Sequence, residues 1–170
     1  MVGIASSGLH SNGYSLARKV LLEDANLDLG ARVDELGCTL GEELLRPTLL
    51  YVKAVLALLK YYRVKAGVKA VAHVTGAGIP GNLPRVLPKN CSARISKSAW
   101  PKQPIFALIQ KLGGVDEKEM YDVFNMGIGM IVVVPASYAQ SVLNQLARHG
   151  HRGYVIGRIK RGPNRVELAD

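Results

Sequence analysis

The short apolar segment Val2-Gly3-Ile4 runs without a bulky residue into Ala5-Ser6-Ser7-Gly8-Leu9-His10-Ser11-Asn12-Gly13-Tyr14-Ser15-Leu16. No other junction constrains the chain as tightly. A strand over 2–5 has to give way to a helix over 14–22, with Leu16, Val20 and Leu21 inward and Arg18 and Lys19 outward. The residues between are small or polar, so backbone N–H groups and hydroxyls stay accessible beside the positive end of a helix dipole. Such a turn suits an anion, most often a phosphate.

Two more glycine-containing turns border apolar strands, Thr75-Gly76-Ala77-Gly78 and Asn125-Met126-Gly127-Ile128-Gly129. Strands are expected at 68–74, 92–95 and 130–134, and helices at 79–86, 104–112, 116–124 and 136–148. Residues 26–43 are polar and without period, and read as a long loop. Residues 50–62 read as a helix that is apolar nearly all round and therefore buried on several sides. Residues 153–160 and 165–168 read as the two arms of a hairpin across Gly162-Pro163-Asn164. The sum is one α+β domain over 1–170, a layered α/β sandwich on a mixed sheet.

Hydrophobic residues make up 48% and charged residues 21% of the chain, enough for a sizeable core. No apolar run approaches the roughly 20 residues that cross a bilayer, and no membrane partner is expected. Cys38 and Cys91 have neither disulfide nor metal spacing, which favours a reducing cytoplasm. The net charge of +9 suits anionic partners. Aromatics do not interleave with the basic residues, so nucleic acid is not the favoured one.

None of the three turns carries a Walker or dinucleotide pattern. His10 and His73 are the candidates for proton transfer, since each sits in or just before a glycine turn. For His73 the alternative is a half-buried strand histidine hydrogen-bonded to backbone. His149-Gly150-His151 lacks carboxylate or cysteine company and reads as a surface loop, and no metal site is expected. Nearly all the carboxylates fall in the 26–43 loop, at helix ends or at the terminus, away from the turns.

Taken in order, several segments resemble the C-terminal half of the aminoimidazole ribonucleotide synthetase (phosphoribosylformylglycinamidine cyclo-ligase) family of purine biosynthesis. They are residues 3–16 as quoted above, Leu45-Arg46-Pro47-Thr48 with Tyr51-Val52-Lys53, Ala72-His73-Val74-Thr75-Gly76, Asn82-Leu83-Pro84-Arg85-Val86-Leu87-Pro88, Phe124 to Met130, and Val155-Ile156-Gly157. The resemblance implies an ATP-dependent ligase acting on formylglycinamidine ribonucleotide. It also implies an N-terminal domain, absent here, that holds most ATP and Mg²⁺ contacts and the main homodimer interface. The domain alone is then expected to be inactive and to hold no cofactor. It assigns Ser7, Gly8, Ser11 and Asn12 to a phosphate and His10 to proton transfer or charge stabilisation. His73 takes a supporting role, Thr75, Gly76, Gly78 and Asn82 a second wall, and Asn125, Gly127 and Gly129 the backing. Ala77 departs from the family's usual glycine, a strained choice if that position needs positive φ. The rival readings are a related ATP-dependent synthetase or kinase domain and a non-catalytic basic module binding RNA or phosphoribosyl ligands.

Overall fold

A computed structural model describes residues 1–64 and 66–170. The elements in chain order are β1 (Val2–Ala5), α1 (Tyr14–Arg18) continued by a π-helical segment (Lys19–Asp24), β2 (Arg32–Val33), β3 (Cys38–Thr39), α2 (Leu40–Leu44) and α3 (Val52–Tyr61). There follow β4 (Ala70–His73), α4 (Gly78–Asn82) with a 3₁₀ turn (Leu83–Val86), β5 (Cys91–Ser96), α5 (Pro104–Gly113), α6 (Glu117–Val123) and β6 (Ile128–Val133). The chain ends with α7 (Ala139–Arg148), β7 (Gly153–Val155), β8 (Gly157–Arg161) and β9 (Val166–Ala169). The fold is α+β.

The principal sheet has the order β4-β6-β1-β7, and every pair in it is antiparallel. A smaller sheet, β8-β5-β9, is the mixed one, antiparallel on one side and parallel on the other. The principal sheet separates two cores. One face packs Val2, Ile4 and Val132 against Ala54 and Leu58 of α3 and Val142 and Leu146 of α7. The other packs Ala72, Ile128 and Ile131 against α4, α5, α6 and the inner face of the small sheet. Side chains alternate along a strand, so both cores are fed by alternate residues of the same strands.

The β1–β6 register slips between Ile4, opposite Met130, and Ala5, opposite Ile128, which leaves Gly129 as the extra residue of a bulge. A side chain at Gly129 would collide with the Tyr51 hydroxyl. Across the bulge, Ile128 joins the core that holds Ile131, while Met130 lies with Val132 on the opposite face.

Four sequence expectations are corrected. Residues 26–43 are not an unstructured loop. They fold into the β2–β3 hairpin and α2, whose N-terminus is closed by a capping box between Thr39 and Glu42. Helix α3 is buried on one stripe only, with Val52 65%, Leu56 59% and Tyr61 63% exposed. The expected terminal hairpin does not form, because β5 lies between β8 and β9. Asn164, at its tip, instead donates to the carbonyls of Pro84, Leu87 and Pro88. The long strand expected at 153–160 is two strands in two sheets.

Candidate functional site

The topology brings all three glycine turns to one end of the principal sheet. The first follows β1, the second follows β4, and the third precedes β6, which runs antiparallel to both. They also touch in sequence. Gly78 of the second turn lies against the backbone of Tyr121 and Phe124 at the end of α6, where a side chain would collide. The third turn begins directly after Phe124, and Asn125 reaches into the first.

Asn125 is fully buried. Its Nδ2 donates to the Gly8 and Leu9 carbonyls at 2.9 and 3.1 Å, and its Oδ1 accepts from Ser6 Oγ and Gly127 N–H at 2.9 and 2.8 Å. Every hydrogen-bonding position of this amide is thus used within the chain. Asn82 does the same for the second turn. It accepts from Thr75 Oγ1 and donates to the carbonyls of Thr75, Gly76 and Gly78. Both asparagines shape turns from behind, and Gly127 and Gly129 lie with Asn125 as part of that backing.

In the first turn the carbonyls of Gly8 and Leu9 are held inward while the N–H groups of Gly8, Leu9, His10 and Ser11 find no acceptor among the described residues. Gly8, Leu9 and His10 are buried. Buried donors without partners are uncommon and mark a place that an anion or ordered water completes. Ser11 and Asn12 lie toward solvent, exposed and half-exposed, and the Ser7 hydroxyl donates to the Pro47 carbonyl at 2.6 Å.

Each turn also carries one non-glycine residue in the left-handed region: His10 at φ 56°, Ala77 at φ 74° and Met126 at φ 49°. Such positions concentrate at sites that the surrounding structure over-determines. Ala77 therefore occupies a position that does need positive φ.

His10 is 4% exposed. Its Nε2 accepts from Ser7 N–H at 3.1 Å and lies 3.5 Å from the Leu49 nitrogen. Burial, assisted by nearby His73, lowers its pKa from 6.5 to about 4, so the ring is neutral at physiological pH. His73, the last residue of β4, is exposed rather than half-buried. It borders a cavity of ≈390 Å³ shared with Thr48, Leu49, Tyr51 and Met130. Tyr51 neighbours both, its ring centroid 6.0 Å from that of His10 and 6.5 Å from that of His73, and its hydroxyl bonded to the Ala5 carbonyl.

Sequence reasoning missed the neighbours supplied by residues 43–51. Glu43 is the only buried carboxylate among the described residues, and its carboxylate backs Gly8. Desolvation raises its pKa against the opposing pull of Arg46, to which it is paired at 2.6 Å. Glu43 is a carboxylate that does lie beside the turns. The signal that could have found Glu43 is the capping pattern Thr39-Leu40-Gly41-Glu42, which starts the helix that carries it. No group of three His, Cys, Asp or Glu side chains fit to hold a metal occurs among the described residues. Among the described residues no helix is long and apolar enough to cross a membrane.

Comparison with known proteins gives a consistent result. A family model described as "AIR synthase related protein, C-terminal domain" matches residues 1–168. Phosphoribosylformylglycinamidine cyclo-ligase of Syntrophotalea carbinolica is 47% identical over 98% of this chain and 47% of its own length. The enzymes of that name from Bacillus cytotoxicus and Bacillus subtilis are 51% and 48% identical over 95% of this chain and 46% of theirs. The chain thus spans about half the length of these curated relatives. Among solved structures, thiamine-monophosphate kinase from Stenotrophomonas maltophilia superposes with a TM-score of 0.60 at 19% identity, covering 98% of this chain and 49% of that one. The hydrogenase maturation protein HypE gives 0.62 at 16%, with the same coverage of both chains. At these identities the two structures speak for the fold alone.

Proposed function

The chain belongs to the family of AIR synthase related proteins, whose C-terminal domain it matches, and from that premise we propose that it is the substrate-holding half of a phosphoribosylformylglycinamidine cyclo-ligase. The complete enzyme converts formylglycinamidine ribonucleotide and ATP to aminoimidazole ribonucleotide, ADP and phosphate. In this reading residues 1–170 form a single domain, the layered α/β sandwich of that type. A second domain contributes the ATP site and the homodimer contacts, and the half described here does not turn over alone. The protein works in the cytoplasm.

The observation that carries the reading is the first turn: four successive N–H groups without acceptors among the described residues, three of them on buried residues, with the Gly8 and Leu9 carbonyls tied back by Asn125. A phosphate monoester is an acceptor-only dianion near neutral pH and completes several such donors at once. The hydroxyl of Ser11 and the amide of Asn12 stand at the rim to add to them.

The reaction replaces a formyl oxygen. Transfer of a phosphoryl group to that oxygen makes it a leaving group, the substrate's own amine attacks the carbon, and phosphate departs as the ring closes. This half contributes orientation by its phosphate grip. A nearby imidazole takes up the proton that the amine loses. Mg²⁺ does not fit this half: the one carboxylate beside the turns is committed to Arg46, and no set of converging ligands accompanies it. The ion belongs with ATP on the other half.

An amide NMR titration tests the reading. Formylglycinamidine ribonucleotide is expected to shift Gly8 to Gly13 and Thr75 to Gly78, with Mg-ATP leaving them unmoved. Shifts with Mg-ATP alone would remove the reading.

A further inference from the structure

We infer that His10 is a positioning residue, its Nε2 fastening the first turn to the strap of residues 44–51 that crosses it, and that His73 is the imidazole left open to reactants. The inference rests on the cyclo-ligase reading for its functional meaning, and on geometry for the division between the two rings.

The strap is pinned to the first turn from end to end. Tyr14 donates its hydroxyl to the Leu44 carbonyl, Ser7 donates to Pro47, the Ser11 and Thr48 hydroxyls meet at 3.3 Å, and Tyr51 donates to Ala5. His10 sits at the centre of this seam. Its left-handed backbone folds the ring back over its own turn, so that Nε2 meets the N–H of Ser7, three residues earlier.

A ring nitrogen that receives an N–H hydrogen must offer its lone pair, so Nε2 is unprotonated. The neutral ring then carries its proton on Nδ1, which is buried and has no partner. No lone pair remains for a substrate proton. To take one at Nε2, His10 would have to release Ser7 N–H and give up the weaker contact with Leu49, loosening the turn at the moment it has to hold a phosphate. Access points the same way. The ring is walled in by Gly129, where a Cβ would lie 2.8 Å from the His10 Cε1, and by Tyr51. His73 is exposed at the end of β4, its ring centroid 6.5 Å from that of Tyr51, and borders the ≈390 Å³ cavity. Among the described residues its side chain makes no hydrogen bond that it would have to surrender.

The test begins with long-range ¹H–¹⁵N correlation of the imidazoles at pH 7.5. His10 is expected as the Nδ1–H tautomer with an unprotonated Nε2. Amide exchange of Ser7 is expected to be slow in the wild type and in His10→Gln, whose side-chain oxygen can accept in place of Nε2. In His10→Leu it should rise more than 10-fold. Ribose 5-phosphate is the binding probe: His10→Leu should weaken it at least 10-fold, His10→Gln less than 3-fold, and His73→Gln not measurably. A proton on Nε2 in the wild type, or Ser7 exchange indifferent to His10→Leu, would overturn the inference. Failure of wild-type protein to bind ribose 5-phosphate would count against the ribonucleotide reading alone. The tautomer and exchange readouts would still decide the role of His10.

Discussion

The two ends of the principal sheet differ in kind. The larger cavity, ≈690 Å³, lies at the end where β1 and β4 begin, lined mostly by apolar side chains such as Leu87, Val133, Val134 and Ile159. The other end has less enclosed space, yet it holds three left-handed non-glycine residues, two asparagines with fully committed amides and a run of N–H groups without acceptors. Volume measures what the chain failed to fill. Unmet donors held in a strained backbone measure what it was folded to present. The difference teaches that incomplete bonds can mark a candidate site where a larger hollow lies elsewhere.

Removing the brace behind the first turn is the hardest blow to that contrast. Asn125→Ala leaves the Leu9 carbonyl and the Gly127 N–H without partners, and the Ser6 hydroxyl and Gly8 carbonyl with only the bond between them. Urea unfolding should show a loss of about 3–4 kcal/mol. If stability were unchanged, the polar end would be no better braced than the hollow one.

A pH titration of stability comes next. The His10 pKa is depressed in the folded state to about 4, while the unfolded chain protonates near 6.5. Below 6.5 the unfolded state binds a proton that the folded state refuses. The stabilisation is therefore complete above pH 6.5 and lost as pH falls toward 4, by roughly 2–3 kcal/mol. Denaturation midpoints across pH 4–7.5 check this, and His10→Leu should flatten the slope in that window.

Ala77→Gly relieves a left-handed alanine at φ 74°. The gain is partly offset by the freer unfolded chain, leaving about 0.5–1 kcal/mol of stabilisation, readable as a rise in melting temperature. At the opposite end, Val155→Lys alters a rim residue of the larger cavity that is 52% exposed. Stability should move by less than about 0.5 kcal/mol and ribose 5-phosphate binding not at all. Any loss of binding there would erase the distinction between the ends.

Most elements were legible because apolar periodicity and caps agree locally, as in Pro104 opening α5 and Asp116 capping α6. The terminal strands were not. The Gly162-Pro163-Asn164 signal marks a reversal of direction, and β8 and β9 do run oppositely, but a turn signal cannot say whether a third strand slips between them. Apolar content misled at α3, where Leu56 and Val52 face outward although they read as core. In the site, the residue types of the three turns were visible, and so was the oddity of Ala77. What stayed hidden was long-range: Asn125 bonds residues 116 and 117 positions away, and the strap over His10 arrives from α2. No local pattern encodes either.

The bulge at Gly129 gives β6 a property that substitution does not probe. In a regular strand Ile128 would share a face with Met130 and Val132. The extra residue shifts its phase by one, and that shift alone lets the same strand send Ile128 to one core and Met130 to the other. Shortening the segment by a single residue would restore the rhythm and turn Ile128 out of its core, and it would also reel in the Asn125 anchor. Length is constrained here alongside identity, since a Cβ at Gly129 would already collide with the Tyr51 hydroxyl. In this part of the molecule the count of residues, as much as their kind, is the inherited instruction.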